Sequence, residues 1–488
     1  MQNTAGSRRS SKPSRALSCA PAVFVALLAA CGHASAPSKP PVAAPQRTPA
    51  PAWGSAAKSD LQNTIRQALS PALARAYDWS CAVIAEDGTL LYDDHSTRAV
   101  VPASAQKLIV GDVVLTRLRP HYRFHTLLAA AEAPRDGTIG GDLWLVGSGD
   151  PSLRSDDLRR GVTKMQSAGL RAVTGGVAVD GSALAGAELN PHWNPGDANE
   201  DFMAAISGVS IDEDTVEFRI AGTSAGQPAQ VRIKPQSAAV IYYGSIATGN
   251  ADDVIVAATG TPNVFRLAGT IPPGVREIFY LPVHGIPHYA GTVLTRFLRD
   301  AQITVARGPS VRRVPQDAAI LWDHPSPELM QLVHHMMIFS DNHFAEQFLR
   351  ALGASAGGPA DDATGLATER AVLRGKGIPT PGLHLVDGSG LSDANRVAAI
   401  TLARILAMDD LYPMLARGGL DGTLKWYHFA QANGRVRAKS GHLSSVSSLA
   451  GYVNTRRHGR VVFAFLINGP PDPSDRAIVA AVDRIAQR

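Results

Sequence analysis

The chain has 488 residues, is 45% hydrophobic and carries a formal net charge of +5. Its length predicts more than one domain, or one domain with a large insert, and its apolar fraction allows a sizeable core. The positive charge is mild and its basic residues are scattered, which excludes a nucleic-acid-binding patch, and no zinc-type Cys/His spacing is present.

Residues 1–31 have the features of an export signal. Arg8, Arg9, Lys12 and Arg15 precede an apolar run from Ala20 to Ala30. That run is too short to span a bilayer comfortably. It ends in Leu28-Ala29-Ala30-Cys31-Gly32, which resembles the lipobox of bacterial lipoproteins, where cleavage precedes the cysteine and the cysteine is acylated. The competing cut, after Ala34-Ser35-Ala36, would leave Pro37 just past it, a poor site. On the lipoprotein reading Cys31 is the lipid attachment and Cys19 leaves with the signal. Cys81 is then left in an apolar strand as a small core residue with no disulfide partner. Residues 32–54 are Pro, Ala and Ser with little else, a linker of partly extended character. At about 3.1 Å per residue it reaches roughly 60–70 Å, enough to hold a folded part off a membrane.

Folding is expected from about residue 55. Leu61, Ile65, Leu69 and Leu73 recur at helical spacing. Residues 80–85 read as a strand, Asp87-Gly88 as a hairpin turn, and residues 89–92 as the returning strand. A helix follows through Leu108, Val110, Val114, Leu115 and Leu118, and stops before Pro120. From 125 to 316 the texture changes to glycine, turns and short β-like runs, which predicts a β-rich insert. Helical spacing returns from 317, with Leu329, Leu332, Val333, Met336 and Met337, then Phe344, Phe348 and Leu349. Two strong strands, 448–453 and 461–467, turn at His458-Gly459, and a helix over about 474–487 closes the chain. This order predicts an α+β fold. Residues 55–124 and 317–488 form a discontinuous domain with an antiparallel sheet and a helical layer, into which 125–316 is spliced.

Three short motifs stand out. Ser104-Ala105-Gln106-Lys107 puts a serine and a lysine on one helix face, a nucleophile beside its own base. Ser340-Asp341-Asn342 and Lys439-Ser440-Gly441 follow later. Each alone reads blandly, as an N-cap with a surface lysine, a polar loop and a turn. A second Ser-x-x-Lys, Ser55 to Lys58, sits at the linker's edge with no paired strands before it. The order of the three and their helix, loop and strand settings make the set specific.

With these motifs the chain resembles the S13 serine peptidases, the penicillin-binding-protein 4 type of D-alanyl-D-alanine carboxypeptidase/endopeptidase. Matching stretches include Tyr122 to Thr126, Gly141 to Pro151, Val179-Asp180, Asp387 to Ser392, Asp421 to Leu424 and Ala450 to Tyr452. The resemblance implies a β-lactamase/transpeptidase-like fold, an insert of two nested β-rich domains and no cofactor or metal. It implies cleavage of D-alanyl bonds in peptidoglycan peptides through an acyl-enzyme at Ser104, which β-lactams would also acylate.

A free lysine is protonated at neutral pH, so Lys107 must be lowered by burial and by a nearby charge, which Lys439 is expected to supply. Ser340 would relay a proton to the leaving amine. Asn342 would bond Lys107 and substrate. Lys439 and Ser440 would face a carboxylate. By resemblance, the backbone N–H groups of Ser104 and His442 form the oxyanion hole. The family commonly has Thr at the positions of Ser440 and His442, so the His442 ring is a departure open to affecting substrate fit or pH response.

Two alternatives remain at this point: a β-lactamase or esterase on the same scaffold, and a catalytically silent binding module on a lipid anchor. The histidines 334, 335 and 343 with Glu346 lack metal-site spacing. Gly147 to Pro151 reads as a structural turn, and Gly388-Ser389-Gly390 as a turn bordering the cleft. The expected location is exported and periplasmic, anchored through Cys31. Oligomeric state is open.

Overall fold

The computed structural model describes residues 52–203 and 205–488. Cys31, its lipobox and most of the 32–54 linker lie outside the described residues. No helix among the described residues is long and apolar enough to cross a membrane.

The central element is a six-stranded sheet in the order Leu90–Asp94, Asp78–Ala85, Arg460–Asn468, Val446–Asn454, Val436–Leu443 and Ala416–Arg417. Every neighbouring pair is antiparallel. The fold is α+β, and its sheet joins the two ends of the chain. Both faces are covered, so the strands read as continuous apolar runs rather than alternating ones. The two-residue period is still visible in the packing. Phe463, Phe465 and Ile467 enter one core, and Val462, Ala464 and Leu466 enter the other.

Helices Ser55–Leu73 and Pro471–Ala486 cover the first face, where Leu61, Ile65 and Leu69 share a core with Ile478, Val482 and Ile485. Cys81 lies in that core, fully buried and free, and burial pushes its thiol pKa up. Helices Lys107–Leu118, Leu329–Phe339, Asn342–Ser355 and Ala399–Met408 cover the other face. The first two pack together at Gly111, where the Met336 and Met337 side-chain ends and Val333 lie against the glycine.

The insert is richer in helix than its sequence texture suggests. Its five-stranded sheet runs Ser310–Val311, Val177–Asp180, Leu143–Gly147, His125–Ala130 and Ala319–Pro325. Amphipathic helices Ser155–Ser167 and Ile286–Asp300 pack with it. Between those helices in sequence lie two three-stranded sheets, one around Thr215–Ala221 and one around Val264–Ala268. One apolar core runs through most of these elements. The boundary expected at residue 317 comes too early. Ala319–Pro325 pairs with His125–Ala130 and completes the insert's own sheet, because Trp322 is needed in that core.

The segment that enters the Ser104 turn is fastened to the sheet. Asn468 Oδ1 accepts from Val101 N at 3.0 Å, and Asn468 Nδ2 donates to Val101 O at 2.9 Å. Ser448 Oγ donates to Pro102 O at 2.7 Å. Asn468 is 2% exposed, so Asn468→Ala strands two buried backbone groups. It is expected to lose about 1–3 kcal/mol, read as a lower urea midpoint at unchanged slope; an unchanged midpoint would show that the clamp contributes nothing.

Candidate active site

Ser104 lies in a 3-10 turn, Ala103–Gln106, that runs directly into the helix Lys107–Leu118. Ala103 has φ 47°, a left-handed value that costs energy for alanine and swings the chain from the preceding strand into the turn. Ser104 is half-buried, while Lys107 is fully buried. Lys107 Nζ donates to Ser104 Oγ at 3.0 Å, Asn342 Oδ1 at 2.7 Å and the Ser389 carbonyl at 2.8 Å. All three acceptors are neutral. Burial therefore dominates and lowers the Lys107 pKa to about 8, against the opposing pull of Asp387, Glu346 and Asp341.

Ser340 ends the helix Leu329–Phe339 in a left-handed conformation, φ 62°. Asp341 then caps the next helix, accepting from Phe344 N at 3.1 Å. This tight helix-turn-helix points Ser340 and Asn342 into the site and Asp341 away from Lys107, toward His335 at 3.4 Å. Asn342 is oriented from both ends, because its Nδ2 donates to Phe202 O at 3.1 Å. Phe202 belongs to the insert, so the insert contributes directly to the catalytic cleft.

The strand Val436–Leu443 forms the facing wall. Lys439 is fully buried, and its Nζ donates to Ser340 Oγ at 2.8 Å and Ser440 O at 2.6 Å. Its pKa lies well below the ordinary lysine range, through burial first and the charge of Lys107 second. Burial is the first cause of the lowered pKa at both lysines, and the repulsion between them, expected from the sequence to lower Lys107, lowers Lys439. Ser440 Oγ donates to Thr423 Oγ1 at 2.8 Å. Gly441 must be glycine: a Cβ there would sit 2.7 Å from Ser104 N and 2.4 Å from Ser448 Oγ. The missing side chain lets this strand pack closely against the start of the Ser104 turn. His442 is exposed at the strand's edge, its Nε2 2.9 Å from Asp475 Oδ1 and 3.3 Å from the Tyr427 hydroxyl.

The structure adds residues that the motifs do not name. The loop from Asp387 to Ser392 is buried and delivers the Ser389 carbonyl to Lys107. Glu346 holds it by accepting from Ser389 N at 2.8 Å, and Asp387 by accepting from Gly390 N and Ser392 N, both at 2.8 Å. Burial raises both carboxyls, Glu346 to about 8. Trp193 of the insert donates to Asp387 at 3.1 Å. The signal for this loop was its small, polar composition, Asp387-Gly388-Ser389-Gly390, which suits a turn with inward-facing carbonyls. His343 and Glu346 are buried in separate networks. Of the histidines considered, His335 lies with Glu213 and Asp341, their ligand-type atoms within 4.8 Å of one another. The Arg154 guanidinium contacts Glu213 and supplies positive charge there.

Beside Ser340 and Asn342 a cavity of about 590 Å³ opens between the insert and the helices. Its lining includes Asp201, Asp212, Glu213, Glu217 and Asp341 against Arg154 and Lys234. Three consecutive insert residues, Asp212, Glu213 and Asp214, take left-handed φ of 52–58°, a strained turn that aims Glu213 into this space.

This arrangement has relatives. Residues 60–488 match the model of the D-Ala-D-Ala carboxypeptidase 3 (S13) family. The chain is 30% identical to a D-alanyl-D-alanine carboxypeptidase of Actinomadura sp. (strain R39), over 89% of this chain and 86% of that one. It is 24% identical to the D-alanyl-D-alanine carboxypeptidase DacB of Haemophilus influenzae, over 78% and 83%. The crystal structure of penicillin binding protein 4 from H. influenzae superposes with a TM-score of 0.77 at 21% identity, covering 87% of this chain and 99% of that one. Its complex with a β-lactam superposes with a TM-score of 0.69. A serine hydrogen-bonded to a buried lysine, a second serine with its own lysine and a glycine-edged strand are thus set in a fold shared with those proteins, and the chain belongs to the D-Ala-D-Ala carboxypeptidase 3 (S13) family.

Proposed function

We propose that the protein is a serine-type D-alanyl-D-alanine carboxypeptidase or endopeptidase acting on peptidoglycan stem peptides. The observation that carries this reading is Lys107, buried and held to Ser104 Oγ at 3.0 Å by an ammonium whose pKa is lowered to about 8. Neutral Lys107 takes the Ser104 proton as Oγ attacks the carbonyl carbon. The oxyanion that forms is met by the backbone N–H groups of Ser104 and His442. Collapse breaks the C–N bond, and the leaving amine takes, by way of Ser340, the proton that Lys107 removed from Ser104, which returns Lys107 to its neutral form; Lys439 Nζ holds Ser340 Oγ at 2.8 Å. Water then hydrolyses the ester at Ser104 and regenerates the hydroxyl.

The strand edge suits a leaving residue with a carboxylate, which Ser440 and Lys439 would receive. The acidic cavity beside Asn342 suits a stem peptide that carries an amino group on the acyl side of the scissile bond. A β-lactam brings a strained amide and a carboxylate to the same groups, which accords with the β-lactam complex of the H. influenzae neighbour. Intact nucleophile, base and relay speak for a working enzyme rather than a silent module. For location, the Leu28 to Gly32 stretch supports an exported, periplasmic protein anchored by a lipid on Cys31.

Fluorescent penicillin should label the protein once, at Ser104, and Ser104→Ala should abolish both label and D-alanine release from a purified pentapeptide. Absence of label on the unmutated protein sinks the catalytic reading, and fast loss of label with release of hydrolysed drug marks a β-lactamase instead. Intact mass of the mature protein from a native membrane fraction should show an acylated N-terminal Cys31, whereas a free terminus at Pro37 contradicts the anchor.

A further inference from the structure

We infer that His442 is a specificity-determining residue that makes the enzyme read a proton together with the substrate's leaving-group carboxylate. The inference rests on the peptidase reading above and names the chemistry of one subsite of that site.

His442 lies two residues beyond Ser440 on the strand Val436–Leu443, so their side chains share a face. Ser440 is 4% exposed and bonds Thr423, whereas the His442 side chain is 41% exposed. The face therefore offers one buried hydroxyl and, next to it, one accessible imidazole. The ring is held from outside the strand. Asp475, on the helix Pro471–Ala486, places a carboxylate oxygen 2.9 Å from Nε2, and the Tyr427 hydroxyl stands 3.3 Å from the same nitrogen. The residue paired with His442 on the neighbouring strand is Ser447, which is not ionisable. The cation next to Asp475 on its helix, Arg476, is engaged with Asp472 at 3.8 Å.

A carboxylate can only accept hydrogen bonds. Asp475 therefore requires the proton of a neutral His442 to be on Nε2, which leaves a lone pair on Nδ1. Nδ1 has no hydrogen-bond partner among the described residues. A neutral ring thus offers an acceptor, which opposes a carboxylate and suits an amide N–H. An imidazolium offers a cationic donor at the same atom, with its charge balanced by Asp475. A threonine hydroxyl at this position rotates to donate at any pH and carries no such linkage. Leaving groups with a free α-carboxylate should thus be favoured as pH falls, and those with an α-carboxamide as it rises. Histidine is the side chain that changes charge between about pH 5 and 8.

The test uses two pentapeptides that end in D-Ala-D-Ala, one with a free carboxylate and one with a C-terminal carboxamide. The readout is the ratio of their kcat/KM values at about pH 5.5 and about pH 8. Protonation of Lys107 affects both substrates alike and cancels in the ratio, whereas Lys439 faces the same carboxylate and does not cancel, so the deciding quantity is the difference in slope between the unmutated enzyme and His442→Thr. The ratio of acid to amide should rise at least about tenfold on going to the lower pH in the unmutated enzyme. In His442→Thr the slope should fall severalfold, to what Lys439 alone contributes, and in Asp475→Asn, where the tautomer is no longer dictated, it should also shrink. Penicillin labelling of both variants reports that they fold. A flat ratio in the unmutated enzyme, or the same slope in His442→Thr, overturns the inference. So does a His442→Thr enzyme that slows on both substrates equally while the slope persists. Failure to cleave either peptide at any pH would instead count against the peptidase reading itself.

Discussion

Two lysines, Lys107 and Lys439, are buried close enough to feel each other's charge, and no carboxylate among the described residues hydrogen-bonds either. Lys107 meets two side-chain oxygens and one carbonyl, and Lys439 meets one hydroxyl and its neighbour's carbonyl. An unpaired ammonium out of water is costly, and the group relieves that cost by giving up its proton. Everything around the site serves to maintain this. The helix Lys107–Leu118 is sunk between the sheet and four other helices. The Asp387–Ser392 loop closes over Lys107 from one side, and the Lys439 strand closes the other. Nearby carboxyls are kept at one remove, spent on backbone N–H groups of that loop. They oppose the fall in the Lys107 pKa without reversing it.

The same constraint explains why catalysis is spread across the chain. A base that must be dry needs walls from several elements, so residues 104, 340, 389 and 439 converge from four separate segments. The insert takes part as well. Its Phe202 carbonyl fixes the Asn342 amide, and its Trp193 secures Asp387. The insert therefore supports the base as well as lining the acidic cavity.

Much of this was legible in the sequence because it is local. The strands 461–467 and 448–453 announce themselves by uninterrupted apolar runs, and the Ser104 and Ser340 motifs by spacing that puts both polar groups at helix ends. The partners were not legible where they come from distant segments. A backbone carbonyl such as Ser389 O has no residue-type signature, and neither does Phe202 O. The helices Ser155–Ser167 and Ile286–Asp300 were submerged in a glycine-rich texture, although Leu158, Val162 and Met165 keep helical spacing. The end of the insert moved to Pro325 because a strand after a long excursion can pair back with its first strand.

The central claim is that neutral Lys107 is the base, and the pH dependence of acylation addresses it directly. With a folded pKa lowered to about 8, Lys107 is protonated and inactive below that value and neutral above it. The second-order rate of Ser104 acylation by benzylpenicillin should therefore rise about tenfold per pH unit up to about pH 7.5 and level off above about pH 8.5. A rate that stays flat from about pH 6 to about pH 9, on protein that remains folded throughout, would contradict the account.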